Sequence, residues 1–399
     1  MSVKQIAYVG AWGADIQGVT NPGEGDGGVK VYTIAENGAM ELRDQATPQV
    51  NAGCISISAD GRFLYAADER KDFGGVYGNG GGVCAYRIDR RTGKLSFINE
   101  VSSAGAYPCY ITVDRNRRYA FVSNHGNHEE ATTQGVRTER GTYIAKRMFD
   151  EGSIAVFPLS EDGSLKECCE LKVLEGNSVL DFFQWTAHPH SVFLDNAEQF
   201  LFTADKGSDL IRVYRIDYDR GRLEEAWEQR TQKGSAPRHL VFHPVLPVLY
   251  CNSEQNNTVH AYRFERETGK LEHMDSAVTV PEHYAPSNTG DTFDRNQTAD
   301  IRIHKSGQFL YVSNRGHNSV AVFTLNDRGN MTRAGIVPSG GEIPRAMNFD
   351  IPGNALYVAN QRTGNIVQFV VDDRTGLPRQ TGYEIKLKNP VSLQFLALP

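Results

Sequence analysis

Short runs of apolar residues, each ending in an aromatic residue followed by a polar one, recur along the chain at a regular interval. Three of these runs are FLYAADE, FLFTADK and FLYVSNR. The aromatic residue recurs at intervals of roughly 45 to 60 residues, apart from one long insertion, and this spacing is typical of the blades of a β-propeller. The seven aromatic anchors are Tyr8, Tyr65, Phe121, Phe202, Tyr250, Tyr311 and Tyr357.

Each anchor belongs to a repeating unit of four predicted strands. The anchor strand follows a first strand such as PRHLVFH and precedes an alternating third strand such as IRVYRI. A glycine turn closes the third strand, because glycine adopts positive φ without steric cost. Each unit is therefore predicted to be a four-stranded antiparallel sheet. The turn glycines are Gly38, Gly93, Gly163, Gly221, Gly269, Gly329 and Gly376.

The two ends of the chain together complete one unit. The chain begins with a second-strand pattern, QIAYVGAW, and its last segment, NPVSLQFLALP, has the pattern of a first strand. We predict that residues 391–398 pair with residues 5–12, which closes the ring and removes two open sheet edges. The predicted fold is all-β: one domain over residues 1–399, a seven-bladed β-propeller of four-stranded antiparallel blades.

Composition limits which binding partners and which cellular compartment are expected. The net charge of −6 offers no basic footprint, so no nucleic acid is expected as a partner. No segment has the apolar length of a membrane span, and MSVKQIAYVG lacks the apolar core of a signal peptide. The six cysteines have no metal-type spacing, and most fall inside strand patterns. We therefore expect a cytoplasmic protein with buried cysteines that binds neither membrane nor metal.

The topology predicts which residues surround the central channel. In an antiparallel blade, the end of strand two and the start of strand one lie at the same edge. The long connections, residues 13–27, 70–80, 126–150, 175–186 and 280–297, open onto this edge, where binding and catalysis usually reside. Strand-two ends contribute Trp12, Glu69, His125, Lys206, Glu254, Arg315 and Gln361, and strand-one starts contribute Gly53, Cys109, His190, Arg238, Ala299, Arg345 and Val391.

Positive charge dominates one side of this predicted rim. Four cations, Lys206, Arg238, Arg315 and Arg345, come from the fourth to seventh blades. Guanidinium groups hold carboxylate or phosphate in bidentate geometry, which favours a small anionic ligand. Alternatively, the arginines pair across blades with Glu69, Glu254 and Asp300. His239 and Asp300, one position further along strand one, are expected to bridge adjacent blades by hydrogen bonds.

Four segments resemble a known family. They are TAHPHSVFLDNAEQFLFTADK, SAPRHLVFHPVLPVLYCNSE, TADIRIHKSGQFLYVSNR and IPRAMNFDIPGNALYVANQ. They resemble the seven-bladed lactonases, which include bacterial propeller-type 6-phosphogluconolactonase and fungal 3-carboxy-cis,cis-muconate lactonizing enzyme. The resemblance extends over all seven blades. It implies four catalytic residues: His190 in HPHS, Arg238 in APRH, Glu254 in CNSE and Arg315 in SNRG.

The resemblance implies metal-independent hydrolysis of a phosphorylated or carboxylated sugar lactone, with no cofactor. His190 is the expected base, and Glu254 would orient it or share in the proton transfer. Arg238 and Arg315 would stabilise the oxyanion, and Arg345 with Lys206 would hold a remote anionic group. The remaining polar rim residues are expected to bind substrate; they are Glu69, His125, Gln361 and Trp12.

Two other functions fit the same sequence. The first is ring closure of a carboxylated muconate, in which the same arginines would hold carboxylates and His190 or Glu254 would donate a proton. The second is a non-enzymatic propeller that binds protein through its loop face. The insertions at residues 126–150 and 280–297 depart from the family pattern, and we expect them to set substrate size.

Overall fold

The protein is built almost entirely of β-strands arranged in seven sheets. The computed structural model describes residues 4–13, 27–47, 49–127 and 131–399. These ranges contain seven four-stranded antiparallel sheets, one two-stranded hairpin and a single 3-10 turn, Phe73–Gly75. No helix in them has the length and apolar character needed to cross a membrane. The predicted seven-bladed propeller is confirmed.

Each blade is a meander in which neighbouring strands are hydrogen-bonded. Blade 1 contains β1 (Gln5–Ala11), β2 (Gly28–Ile34) and β3 (Met40–Ala46); blade 2 contains β4 (Ala52–Ile57), β5 (Phe63–Asp68), β6 (Gly82–Ile88) and β7 (Leu95–Ser102). Blade 3 contains β8 (Pro108–Val113), β9 (Tyr119–Asn124), β12 (Ser153–Pro158) and β13 (Glu170–Val173), with the hairpin of β10 (Ala131–Arg137) and β11 (Tyr143–Phe149) inserted after β9.

The remaining blades follow the same order. Blade 4 contains β14 (Pro189–Leu194), β15 (Phe200–Asp205), β16 (Leu210–Asp217) and β17 (Arg222–Arg230); blade 5 contains β18 (Pro237–Phe242), β19 (Val248–Ser253), β20 (Thr258–Phe264) and β21 (Leu271–Val278). Blade 6 contains β22 (Gln297–Ile303), β23 (Phe309–Arg315), β24 (Ser319–Leu325) and β25 (Met331–Pro338). Blade 7 contains β26 (Pro344–Phe349), β27 (Ala355–Asn360), β28 (Asn365–Val371) and β29 (Pro378–Lys386), and β30 (Pro390–Ala397) returns to blade 1.

The chain ends close the ring as predicted. β30 pairs antiparallel with β1 over most of its length, from Gln5 opposite Ala397 to Gly10 opposite Ser392. The amide of Leu398 then donates to the carbonyl of Lys4 at 2.9 Å. Blade 1 is thus assembled from both ends of the chain, so neither terminal strand presents an open edge at this junction.

The aromatic anchors tie each blade to the next. Five of the seven are tyrosines whose hydroxyl donates to the carbonyl of the turn glycine in the following blade, while blades 3 and 4 carry Phe121 and Phe202 instead. The repeated aromatic and the repeated glycine are therefore hydrogen-bond partners across the blade boundary. The bonds are Tyr8 to Gly93 (2.8 Å), Tyr65 to Gly163 (3.1 Å), Tyr250 to Gly329 (2.7 Å), Tyr311 to Gly376 (2.6 Å) and Tyr357 to Gly38 (2.7 Å).

Every innermost strand carries a β-bulge near its start. The pairing with strand two skips one residue in six blades and two residues in blade 6. An extra residue in a strand bends it locally and re-aims a side chain, here towards the channel. The skipped residues are Gly53, Cys109, His190, Arg238, Arg345 and Val391, with Ala299 and Asp300 in blade 6.

The insertion after β9 contains structure that the sequence pattern does not reveal. Residues 126–150 were expected to form a long connection, but β10 and β11 make a paired hairpin within it. Most side chains on both of its faces are exposed. Because neither face packs into a blade, the hairpin has no apolar alternation by which it could be recognised. Residues 14–26, within the predicted connection 13–27, lie outside the described residues.

We expect the Tyr250→Phe variant to be about 1–3 kcal/mol less stable to unfolding than the native protein, because it leaves the buried carbonyl of Gly329 without its donor. Phenylalanine already fills the equivalent position in blades 3 and 4, so ring packing should be preserved. Urea denaturation monitored by fluorescence measures the change. Tyr143→Phe, at a side chain that is 73% exposed, is the matched control and should be neutral. Equal stability of the two variants would show that the hydrogen bond between Tyr250 and Gly329 contributes nothing to the free energy of unfolding.

Candidate active site at the channel mouth

Backbone hydrogen bonds fix the predicted rim residues at one end of the channel. In six blades, the amide at the end of strand two donates to the carbonyl of a residue just before strand one of the same blade. Glu254 donates in this way to Ala236 at 2.8 Å, and Lys206 donates to His188 at 3.0 Å. The other four bonds are Trp12 to Asn389 (3.1 Å), Glu69 to Asn51 (2.9 Å), His125 to Tyr107 (2.9 Å) and Gln361 to Ile343 (2.8 Å).

Glu254 is the centre of a buried cluster of three cations. Its Oε1 lies 2.8 Å from the Lys206 ammonium, and its Oε2 lies 2.8 Å from Arg238 Nε and 3.0 Å from Arg315 Nη2. Arg238 and Arg315 are almost completely buried, at 1% and 4% exposure. These residues come from three neighbouring blades, and the structure brings them together as the sequence predicts.

The charges in this cluster depend on one another. Burial alone would raise the pKa of the Glu254 carboxyl, but Lys206, Arg315 and Arg238 outweigh this effect and hold that pKa well below its usual range. Burial lowers the pKa of Arg315 to about 9, although Glu254 opposes the change, so the guanidinium keeps its charge at neutral pH. Glu254 is therefore a permanent anion here, which suits it to holding cations in place and not to exchanging protons.

A chain of hydrogen-bonded polar groups extends from Arg238 into the neighbouring blade. Its Nη1 donates to the carbonyl of Ala299 at 2.7 Å and lies 3.1 Å from His239 Nε2. His239 Nδ1 in turn lies 3.1 Å from Asp300 Oδ1 in the neighbouring blade. Burial and the nearby Arg238 lower the pKa of His239 to about 3, so this ring is neutral and accepts from the guanidinium. The expected bridging role of His239 and Asp300 is confirmed.

His190 lies beside this cluster and close to two other imidazole rings. Its ring centroid is 5.5 Å from that of His125 and 5.2 Å from that of His239. Its Nδ1 atom is buried and has no hydrogen-bond partner. Burial, together with Arg238 and Lys206, lowers the pKa of His190 well below the ordinary value. His190 is thus neutral at physiological pH, the form in which an imidazole can accept a proton.

The opposite side of the mouth contains a looser group of polar residues. The Arg345 guanidinium lies 4.2 Å above the ring of Trp12, and its Nη2 lies 3.7 Å from Glu69 Oε1. Burial lowers the pKa of Arg345 to about 10, and Glu69 opposes this change. Gln361 is buried just past the end of the strand that pairs with the strand of Arg345, and neither atom of its amide has a hydrogen-bond partner. Polar groups left unpaired in this way are suited to binding the hydroxyls of a ligand.

Part of the long loop at residues 280–297 covers the mouth. Phe293 is buried, with its ring 5.2 Å from the Arg315 guanidinium and 5.5 Å from that of Arg362. Arg362 also pairs with Asp291 of the same loop at 2.8 Å. Sequence reasoning missed Phe293 and Arg362; the signal available was an aromatic residue flanked by acidic residues in an otherwise polar loop.

The channel contains a small cavity next to His190. A cavity of about 30 Å³ extends inward from His190, Arg238 and Arg345 to Cys54, Tyr110 and Arg302. A space of this size holds a water molecule when polar groups line it. Four of the six cysteines are buried and all six are free thiols. Among the described residues, no group of three or more His, Cys, Asp or Glu side chains is arranged to hold a metal ion.

The structure therefore gathers the predicted residues into two subsites. The first, which we call the glutamate cluster, comprises Glu254, Lys206, Arg238 and Arg315, with His190 beside it. The second, the arginine platform, comprises Arg345, Trp12, Glu69 and Gln361. Lys206 was predicted to act with Arg345 on a remote anion, but its ammonium pairs with Glu254. His125 stacks on His188 at 4.8 Å between ring centroids, and its ring lies edge to face with that of His190 at 5.5 Å.

Comparison with known proteins finds relatives over nearly the whole chain. The model of the family described as "Lactonase, 7-bladed beta-propeller" matches residues 14–395. The chain is 29% identical over 374 residues to the 6-phosphogluconolactonase of Formosa agariphila, covering 92% of this chain and 95% of that protein. It is 26% identical over 394 residues to the 6-phosphogluconolactonase of Bacillus subtilis, covering 98% and 99% of the two chains.

Solved structures share the fold over the whole chain. The periplasmic gluconolactonase of Pseudomonas aeruginosa has a TM-score of 0.83 at 24% identity and covers 100% of both chains. A putative 6-phosphogluconolactonase from Bacteroides fragilis has a TM-score of 0.81 at 24% identity, covering 99% of this chain and 98% of that one. Together with the match of the family model, these similarities place the chain in the lactonase family of seven-bladed β-propellers.

Proposed function

We propose that the protein is a metal-independent lactonase that hydrolyses an anionic sugar lactone, most closely a 6-phosphogluconolactonase. The observation that supports this most is the charge of the channel mouth, where four cations, of which Arg238 and Arg315 are almost completely buried, pair with two carboxylates, Glu254 and Glu69. The surplus of positive charge favours a ligand that brings its own negative charge. The curated relatives from Formosa agariphila and Bacillus subtilis carry the name of this activity.

In the proposed reaction, the lactone carbonyl lies against the glutamate cluster. Attack on the carbonyl carbon moves negative charge to its oxygen, and fixed guanidinium groups stabilise that charge without reorganisation. The Nε atom of Arg315 is buried and has no hydrogen-bond acceptor, so it has a donor to offer to the oxyanion. Glu254 keeps Arg238 and Arg315 in position throughout the reaction.

His190 activates the water in this scheme. The neutral ring accepts a proton from a water molecule as the oxygen attacks the carbonyl carbon. His190 and Arg238 line the same narrow cavity, whose volume of about 30 Å³ suits a water molecule next to both groups. The nucleophile, the base and the positive charge would thus lie within one confined space.

The remote phosphate or carboxylate binds on the arginine platform. Arg345 is held only loosely by Glu69, at 3.7 Å, and it stacks on Trp12. Its guanidinium can therefore form a bidentate pair with an incoming anion at little cost. Gln361 and His125 would contact the sugar hydroxyls between the two subsites.

We also place the protein in the cytoplasm as one folded unit of residues 1–399. Its six cysteines are unpaired thiols, which is usual in a reducing compartment. A phosphorylated sugar lactone is charged and is retained inside the cell, which fits the proposed substrate.

The native protein should accelerate acid release from freshly made 6-phosphogluconolactone above its spontaneous rate, and His190→Ala should lower kcat by at least about 100-fold, because it removes the base. A pH-stat assay measures both rates. His273→Ala, at an exposed position on β21, is the control and should retain full activity. Equal activity of His190→Ala and the native protein would exclude the base role. Failure of the native protein on this lactone, with loss of muconate absorbance instead, would select ring closure.

In the pH profile of kcat/KM, the midpoint of the acidic limb should lie well below pH 6.5, the ordinary pKa of an imidazole. Burial and neighbouring cations lower the pKa of His190, so the proton that inactivates the base binds only when the pH falls further. The rate is measured from about pH 4.5 to 7.5, with the spontaneous reaction subtracted. A limb at or above pH 6.5 would mean that the titrating base is another group.

Arg345→Ala should raise KM for 6-phosphogluconolactone by about 10- to 100-fold, since a hydrogen bond to a charged group is worth about 1.5–3 kcal/mol. The KM for the neutral gluconolactone should change much less, and kcat should be similar for both. Steady-state assays on the two lactones measure this difference. Arg374→Ala, in the exposed turn after β28, is the control. An equal rise in KM for both substrates would argue against binding of the anion at Arg345.

A further inference from the structure

Glu69 occupies a space that the backbone keeps free for it. Of the bulged positions that line the channel, Gly53 has no side chain, and it lies beside Glu69 within blade 2. A Cβ atom at Gly53 would lie 2.1 Å from Glu69 Oε2 and 3.0 Å from Glu69 Cβ. Any larger residue would displace the carboxyl group. In other blades the bulge carries a functional side chain such as Arg238 or His190. In blade 2 it carries a glycine, which leaves room for the Glu69 carboxyl at the channel mouth.

The two carboxyls of the mouth have opposite surroundings. Glu254 has three cations within 3.0 Å, whereas the cation paired with Glu69 is Arg345, at 3.7 Å. The Glu69 carboxyl is also buried, and the Trp12 side chain is a hydrogen-bond donor that acts on it. A buried carboxylate with so little compensation binds a proton readily, because the neutral form loses less solvation.

The titration of the two groups agrees with this difference. Burial raises the pKa of Glu69, although Arg345 and Arg238 oppose the change, while the cations around Glu254 hold its pKa well below the usual range. Two carboxyls whose environments separate them in this way commonly divide the roles of proton carrier and fixed charge. Glu69 has the environment of the proton carrier.

We propose that Glu69 is the general acid of the hydrolysis and protonates the ring oxygen as it leaves the acyl carbon. This inference rests on the proposed lactonase function, and it changes the role of Glu69 from binding substrate to transferring a proton. The leaving group of a sugar lactone is an aliphatic alkoxide, which is strongly basic and needs a proton as the bond breaks.

The reaction balances with these two residues. Water forms the new bond to the acyl carbon and gives one proton to His190, and the carbonyl electrons move to the oxygen beside Arg315. When the carbonyl re-forms, the bond between the acyl carbon and the ring oxygen breaks, and the ring oxygen takes the proton of Glu69. The imidazolium of His190 then returns its proton through solvent to Glu69. The products are the hydroxyl and the carboxylic acid, which ionises in water.

A change of leaving atom tests the proposal. Glu69→Gln is compared with the native protein on 6-phosphogluconolactone and on the analogue with sulfur in place of the ring oxygen. A thiolate leaves without protonation, since a thiol has a pKa of about 8.5. We expect kcat for the oxygen lactone to fall by at least about 100-fold and kcat for the sulfur analogue to fall less than about threefold. An equal fall on both substrates, or no fall on either, would overturn the proposal.

A second variant tests the proposal if Glu69→Gln fails to fold. Gly53→Ala leaves the carboxyl in the chain but displaces it, and it should show the same preference for the sulfur analogue. Thermal unfolding identifies which variants are folded. If neither folded variant discriminates between the two substrates, the general-acid role is wrong. If the native protein hydrolyses neither substrate, the lactonase function fails instead, and the two failures are distinguishable.

Discussion

The burial of Glu254 among three cations is the interaction on which the channel mouth depends. Lys206, Arg238 and Arg315 come from different blades, and without a shared anion their charges would repel one another in a space closed to solvent. Removing one partner of a buried ion pair commonly costs about 3–5 kcal/mol, because the remaining charge is left uncompensated. Glu254 thus allows a high density of positive charge to be buried while part of it stays available to a ligand.

The β-bulges turn a repeating scaffold into an asymmetric site. Each innermost strand presents a residue to the channel by the same local distortion, so the chemistry of the mouth depends on which side chain occupies that position. His190 and Arg238 bring functional groups, whereas Gly53 leaves room for Glu69 from the adjacent strand. A blade can therefore change its contribution to the site by one substitution, without altering the strands that hold the ring together.

The sequence predicts much of this arrangement, because the aromatic anchors set the register of every blade. Counting from Tyr250 is enough to place Glu254 at the rim, and counting from Phe202 places Lys206 there. Which cation pairs with which carboxylate depends on side-chain torsions and on distances between blades, so the pairing of Lys206 with Glu254 could not be derived. The bulges leave one trace in the sequence: a proline precedes the bulged residue in five strands, as in HPHS and APRH. The acidic residues that flank Phe293 could not place it at the mouth, because its loop has no repeat to align it.

Blade 4 has Phe202 at the position where five other blades have tyrosine. The stability of the boundary between blades 4 and 5 therefore depends on temperature in a different way. In place of a hydroxyl bond, this seam contains an edge-to-face cluster in which Phe202 lies 5.2 Å from Phe264 and 5.0 Å from Phe242. Cohesion of apolar rings is largely entropic near room temperature and weakens on cooling. The seam adjoins both His190 and Arg238, so these two residues meet at a boundary whose apolar cohesion weakens on cooling.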